Sequence, residues 1–204
     1  VEWGNKYHQK LQFHDDLTVP PQPAGKLGMA YLAQMRRHML RFWQTQLPNV
    51  YQAADLIEAE LDAGKTPYVL SSGHMPWVYV GKYEDARWMK VIDFHSTVEY
   101  QVKEFKEKLP EGALAVRIGY FGEDQTARDL YAAKKVRLIM IGSDSIYPEM
   151  RFPDDMAVKI DMGMAFGDAC VKLEGYPIPL FPPSGVMQIV AYEAINTEVL
   201  ARIE

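Results

Sequence analysis

The stretch "EGALAVRIGYFGEDQTARDLYAAKKVRLIMIGSDS" (residues 111–145) decides the fold. It contains two almost wholly apolar runs, "ALAVRI" and "VRLIMI", separated by a helix-like segment near 124–134. Such runs fit strands of a parallel sheet that is covered on both sides. A loop follows each run: "GYFGED" (119–124) after the first and "GSDS" (142–145) after the second. Strand, loop, helix and strand in that order form the crossover unit of a doubly wound α/β domain.

The same alternation extends outward on both sides. Further strands are expected at 67–71, 89–94 and 157–160, with helices near 76–85 and 96–108. Upstream, Leu32, Met35, Met39, Phe42 and Trp43 give residues 28–46 a helical stripe. Asn49 then reads as the N-cap of a second helix, with Val50, Ala53, Leu56, Ile57 and Leu61 on one face and Gly64 closing it. Residues 1–27 read as an irregular arm, since "VPPQPAGK" (19–26) is too proline-rich for a helix or central strand. Its aromatics Trp3, Tyr7 and Phe13 suggest that it packs on the body or on a partner subunit. Downstream, "ACVKL" reads as a short strand and 184–203 as a last helix, with Ser184 as its N-cap. The domain proper is therefore 28–204.

Composition narrows the function. The chain has 204 residues, 48% hydrophobic and 24% charged, and a formal charge of −5. It carries no basic stripe with interleaved aromatics, so no nucleic-acid partner is expected. No apolar run approaches 18 residues, so no membrane span is expected. The single cysteine, Cys170, excludes an intrachain disulfide and agrees with a reducing compartment. A cytoplasmic location is expected, with export after removal of a signal as the alternative. The G-x-S-x-G hydrolase elbow, the G-x-x-x-x-G-K-[ST] nucleotide loop and a post-strand G-x-G-x-x-G are all absent.

In a doubly wound sheet, ligands bind beyond the carboxyl ends of the strands, where the strand order reverses. The loops to weigh are therefore "SSGHM" (71–75), "DFH" (93–95), "GYFGED", "GSDS" and "DMGMAFGD" (161–168). In the first, Ser71 and Ser72 offer hydroxyls and Gly73 permits close backbone approach. The next helix's first turn adds free N–H groups, less one at Pro76. The same pieces also build an ordinary strand-to-helix turn. His74 has a near-neutral reference pKa and reads either as an acid–base group or as a turn cap. Asp93 and His95, brought near His74 in a 2-1-3-4-5 order, form either a hydrogen-bonded edge cluster or a metal site. Gly167-Asp168 reads as a turn, and Cys170 as a core residue.

Three stretches together resemble the sugar isomerase (SIS) domain family, in its phosphosugar isomerase-like branch. They are "AADLIEAELDAGKTPYVLSSGHM" (53–75), the 111–145 segment, and "IDMGMAFGDACVKLEGYPIPLFPPSGVMQIVAYEAINTEVLARI" (160–203). The resemblance covers most of residues 30–204. It implies a flavodoxin-like, doubly wound five-stranded parallel sheet, here with the N-terminal helical pair in front. It also implies a sugar-phosphate ligand and a homodimer or higher homo-oligomer. No cofactor is expected, and no metal ligands are assigned.

In that family the second loop carries Ser-x-Ser-Gly for phosphate. Here Gly119, Tyr120, Phe121 and Gly122 stand in its place, leaving backbone amides and a ring that can stack on a sugar or fill the pocket. The family's helix glutamate would fall on Val80 or Gly81, with Glu84 one turn later. The resemblance thus implies Ser71, Ser72, Gly73, Gly119, Phe121, Gly122 and Ser184 as ligand-binding positions. His74 and Glu84 are the catalytic candidates. The reading is a phosphosugar or small-anion binding protein, as an aldose–ketose isomerase or, alternatively, as a non-catalytic protein that has lost the phosphate serines.

Overall fold

The computed structural model describes residues 20–71, 79–93, 103, 105–120, 125–144, 152, 155–165, 167–176 and 178–203. Five strands form the sheet: β1 (Tyr68–Ser71), β2 (Lys90–Asp93), β3 (Leu114–Ile118), β4 (Arg137–Gly142) and β5 (Val158–Asp161). All pairings are parallel, and the order is β2-β1-β3-β4-β5. Helices fully within the described residues are α1 (Lys26–Asp62), α2 (Gln125–Ala133) and α3 (Ser184–Ile203). All five expected strands are present to within two residues at each end.

Every residue of β3 is buried, and so is all of β4 except Arg137. This explains why their sequences do not alternate: both faces of the sheet are covered. One face packs on α1 and α3 through Leu114, Val116, Ile118, Ile139 and Ile141, with Ile57, Met187, Tyr192 and Ile195 opposite them. The other face carries Leu70, Ile92, Ala115 and Leu138 against Phe105, Leu109, Leu130 and Tyr131. Each fully buried Leu or Ile contributes about 1.5–3 kcal/mol relative to exposure, so the two layers supply most of the driving force.

The expected helical pair is instead one helix of 37 residues that runs through Pro48, and Asn49 does not cap a second helix. Pro48 forfeits one ladder bond and crowds the preceding turn, at a cost of about 3 kcal/mol. Packing overrides that cost. Met35, Phe42, Gln46, Val50, Ala53, Ile57 and Glu60 are all buried, and their spacing keeps one helical phase across the proline. The Asn49 amide donates to Gln46 Oε1 (3.0 Å), inside the helix. The far end behaves as the sequence suggested. Gly64 is left-handed (φ 70°), and the N–H groups of Gly64 and Lys65 donate to Leu61 O and Glu60 O, which is a Schellman closure.

Two smaller expectations also change. Only Tyr79 is helical among the described residues of 79–83, and a 3-10 turn follows at Glu84–Arg87. "ACVKL" forms a single antiparallel bridge, Val171 to Leu180, rather than a strand. Of the 96–108 helix, residues 103 and 105–108 are described, and they are helical.

A single continuous α1 has a direct test. Pro48→Ala should stabilise the chain by about 1–3 kcal/mol in urea denaturation. A loss of stability would mean that the helix is broken at this position.

Candidate active site at the carboxyl edge of the sheet

After β1 the chain crosses to edge strand β2 on the α1/α3 face, where Val80, Trp88 and Met89 join that core. After β3 it crosses the opposite way, to β4, on the other face through α2. Parallel crossovers are right-handed, so opposite directions demand opposite faces. The junction of β1 and β3 is thus the topological switch point, beyond whose carboxyl ends ligands bind in sheets of this kind. Ser71 pairs with Ile118 across this point and with Asp93 on its other side.

Most of the first loop lies outside the described residues. So do Ser72, Gly73, His74 and His95, and with them the side-chain geometry of the possible metal cluster. Phe121 and Gly122 of the second loop lie outside as well. Among the described residues no group of three or more His, Cys, Asp or Glu could hold a metal ion.

Around these gaps the edge is densely tied. The Gly119 N–H donates to Ile141 O (2.9 Å), and its carbonyl accepts from the fully buried Gln188 Nε2 (2.9 Å). The Gly119 amide and carbonyl are thus both engaged within the fold. One step further, Ser143 N–H donates to Tyr120 O (2.9 Å), and Ser143 Oγ accepts from Met164 N–H (2.9 Å). Gly119 and Tyr120, the described start of the second loop, are held from β4 on one side and from α3 on the other.

The segment returning from the first loop hangs on Asp85. This carboxylate is 2% exposed and accepts from the N–H groups of Gly81 (2.6 Å) and Tyr83 (3.0 Å). It also accepts from the Tyr192 hydroxyl on α3. Burial, together with the bond to Asp85, pushes the Tyr192 phenol far above its usual range, so it remains a donor. Trp88 Nε1 adds a second link, to Asn196 Oδ1 (3.0 Å). Gly81 has to be glycine: φ is 73°, and a Cβ there would lie 2.2 Å from Val91 Cγ2. Glu84, by contrast, is on the surface, its side chain 72% exposed and paired with Arg87 (3.4 Å).

Ser184 is the first residue of α3, not its cap. Its N–H and hydroxyl both donate to the Asp168 carboxylate (3.1 and 2.6 Å), and the residue is buried. Asp168 takes the capping role from a distant turn, at the positive end of the helix where a carboxylate is favoured. Cys170 is half-buried beside it rather than in the core. Its thiol donates to Phe181 O (3.2 Å), and burial plus the neighbouring Asp168 raise its pKa, which keeps it protonated.

At the far side of the edge, Arg41 of α1 donates to Asp161 Oδ2 (2.5 Å) and Asp161 O (3.2 Å). Gly163 N–H donates to Asp161 Oδ1 (2.8 Å), and Asp161 N–H to Gln46 Oε1 (3.0 Å). A side chain at Gly163 (φ 67°) would collide with the Arg41 guanidinium. This lock joins α1 to the end of β5.

The fold is shared with two phosphoheptose isomerases. The enzyme from Neisseria gonorrhoeae superposes with a TM-score of 0.64 at 9% identity, covering 88% of this chain and 100% of that one. The enzyme from Francisella tularensis gives 0.63 at 12%, covering 87% and 98%. No protein-family model matches the sequence, and no curated protein matches it. At such identity the likeness speaks for the fold, which is the sugar-isomerase type that the three stretches suggested. It extends over nearly the whole length of both isomerases.

Sequence reading missed Asp85, Arg41, Gln188 and the buried Arg117. Arg117 alone left a clear signal, as the one charge within "ALAVRI". Asp85 left none, because it adjoins the equally acidic Glu84 and only tertiary packing decides which is buried.

The Asp85–Tyr192 link is testable. Tyr192→Phe removes a buried bond to a charged acceptor but leaves Asp85 its two amide donors. It should cost about 1.5–3 kcal/mol in urea denaturation. A change below about 0.5 kcal/mol would show that the link does not hold the segment.

Proposed function

We propose that this chain binds a phosphorylated sugar, or a closely related small anion, in the crevice between β1 and β3, and that its reaction is aldose–ketose isomerisation. The observation that carries the reading is the switch-point crevice within a fold shared along its length with two phosphoheptose isomerases. In this reading Ser71, Ser72 and the amides after Gly73 grip the phosphate, assisted by the following helix start. Phe121 lies against the sugar, and Gly119 and Gly122 let it approach the backbone. Ser184, tied to Asp168, closes the pocket at the start of α3.

Isomerisation moves a proton between adjacent carbons through an enediol. It needs a base at the carbon and an acid at the carbonyl oxygen. With Glu84 exposed and paired to Arg87, His74 carries the acid–base role. The same observation favours the second reading, a binding protein without catalysis. That protein would keep the first loop and lack both the second loop's serines and a buried helix glutamate.

The homo-oligomer belongs to the same proposal. Met29, Leu32, Leu40, Trp43 and Tyr51 of α1 are exposed, an apolar surface larger than isolated residues would give. A second copy packing along α1 would cover them. Light scattering should report a dimer or larger species for the native chain. Leu32→Glu with Trp43→Glu should reduce it to the monomer without loss of fold.

Thermal unfolding with sugar phosphates, inorganic phosphate and neutral sugars tests the ligand. At a hundredfold excess over Kd the right sugar phosphate adds about 2.7 kcal/mol. For a chain of this size that is a rise of roughly 5–10 °C. No rise with any sugar phosphate or phosphate would remove the proposal. If binding appears, His74→Ala should abolish turnover and keep most of the affinity. Unchanged turnover would assign the chemistry elsewhere, and no turnover in the native chain would select the binding protein.

A further inference from the structure

Helix α1 reaches past the sheet it covers. Glu60 pairs with Arg137, the first residue of β4, and Arg41 pairs with Asp161, the last residue of β5. Residues 41–60 thus span the strands from edge to edge. Residues 26–40 run on beyond the carboxyl edge, by about 20 Å at 1.5 Å per residue. A helix that overhangs its own sheet cannot bury its whole apolar surface there. Met29, Leu32 and Leu40 of the overhang are 67%, 61% and 43% exposed, and Trp43, just inside the edge, is 65% exposed. With exposed Tyr51 and half-buried Leu47, they fall within about 100° of arc around the helix. This is a second apolar stripe, beside the one that faces the core.

The stripe reads nearly the same from either end. Met29 and Tyr51 are equidistant in sequence from Leu40, and Leu32 with Leu47, and Arg36 with Trp43, are so to within one residue. A face with that property is complementary to itself in an antiparallel pair related by a twofold axis, the isologous arrangement. Charge selects the same direction. The Lys and Arg residues of α1 are Lys26, Arg36, Arg37 and Arg41, all in its first half, and its carboxylates all lie between Asp55 and Asp62. Near the latter, Asp55, Glu58 and Glu198 surround the single cation Arg202, so that end of the helix stays acidic. Parallel packing in register would set like charges together, and antiparallel packing sets opposite charges together.

We propose that α1 packs antiparallel against α1 of a second copy of this chain, about a twofold axis at Leu40. Met29 of each copy then meets Tyr51 of the other, and Leu32 meets Leu47. The Arg36 guanidinium lies over the Trp43 ring, and Lys26 approaches Asp55. Each overhang is covered by the sheet-backed part of the other copy's helix. The proposal rests on the homo-oligomer reading above and adds the direction, the axis and the paired residues.

Single cysteines in the full chain test the axis, in a Cys170→Ser background that keeps a donor for Phe181 O. Circular dichroism checks the fold of each variant, and light scattering under reducing conditions checks its size. Diamide then oxidises thiols whose Cα atoms come within about 7 Å of each other. Leu40→Cys should link to itself across the axis. Met29→Cys and Tyr51→Cys, co-expressed on chains with tags of different length, should link to each other about tenfold faster than either links to itself. A native dimer in which Met29→Cys links to itself faster than to Tyr51→Cys, or in which neither Leu40→Cys nor the mixed pair links, overturns the antiparallel twofold and leaves the homo-oligomer standing. A monomeric native chain overturns both. If Leu40→Cys dissociates the dimer, the mixed pair decides alone: a link supports the arrangement, and no link overturns it.

Discussion

The parallel pairing of Tyr68–Ser71 with Ala115–Ile118 is the constraint on which the rest of the structure depends. Because β1 and β3 lie side by side, the connection after each must run outward in opposite directions. Right-handed crossovers then send one connection to each face of the sheet. Two consequences follow at once. Both faces are covered, so the central strands are buried and almost wholly apolar. The strand order reverses at this junction, and in such sheets the carboxyl edge at the reversal is where ligands bind.

What surrounds that edge is a set of polar locks rather than more hydrophobic core. Gln188 holds the end of β3, Asp85 holds the return from the first loop to Tyr192, Asp168 holds the start of α3, and Arg41 holds the end of β5. Each lock joins a helix or its approach to a backbone group near a strand terminus or loop. Buried backbone groups need partners, and irregular segments cannot find them in a ladder. The locks therefore fix loop positions that hydrophobic packing leaves loose. Their cost in conformational entropy is smallest where one partner sits on a long helix already anchored by its apolar face, as Arg41 and Tyr192 do.

How much of this was legible follows from which forces set each element. The strands were legible because burial on both faces writes an almost wholly apolar run into the sequence, as in "VRLIMI". The last helix was legible because its apolar spacing is regular. Its start was misassigned: Ser184 has the side chain of a cap, but the capping carboxylate comes from Asp168, sixteen positions away. The second helix expected from Asn49 is absent for a similar reason, since the buried stripe from Met35 to Glu60 holds one phase through Pro48 and Asn49. Arg117 was missed although it is a charge in an apolar run, and its bonds to the ends of β1 and β3 depend on register. Arg41 and Asp85 gained their roles from contacts 120 and 107 positions apart, which no local pattern records. His74 and Phe121 rest on the sequence and the resemblance alone.

The central claim is that ligand binds at the junction of β1 and β3 and nowhere else on the fold. Hydrogen–deuterium exchange on the full chain, with and without a saturating sugar phosphate, reads that location directly. Binding at the junction predicts slower exchange in peptides spanning 71–83 and 119–125, with β5 and the outer face of α1 unchanged. Protection confined to other regions, with these two peptides unaltered by a ligand that demonstrably binds, would contradict it.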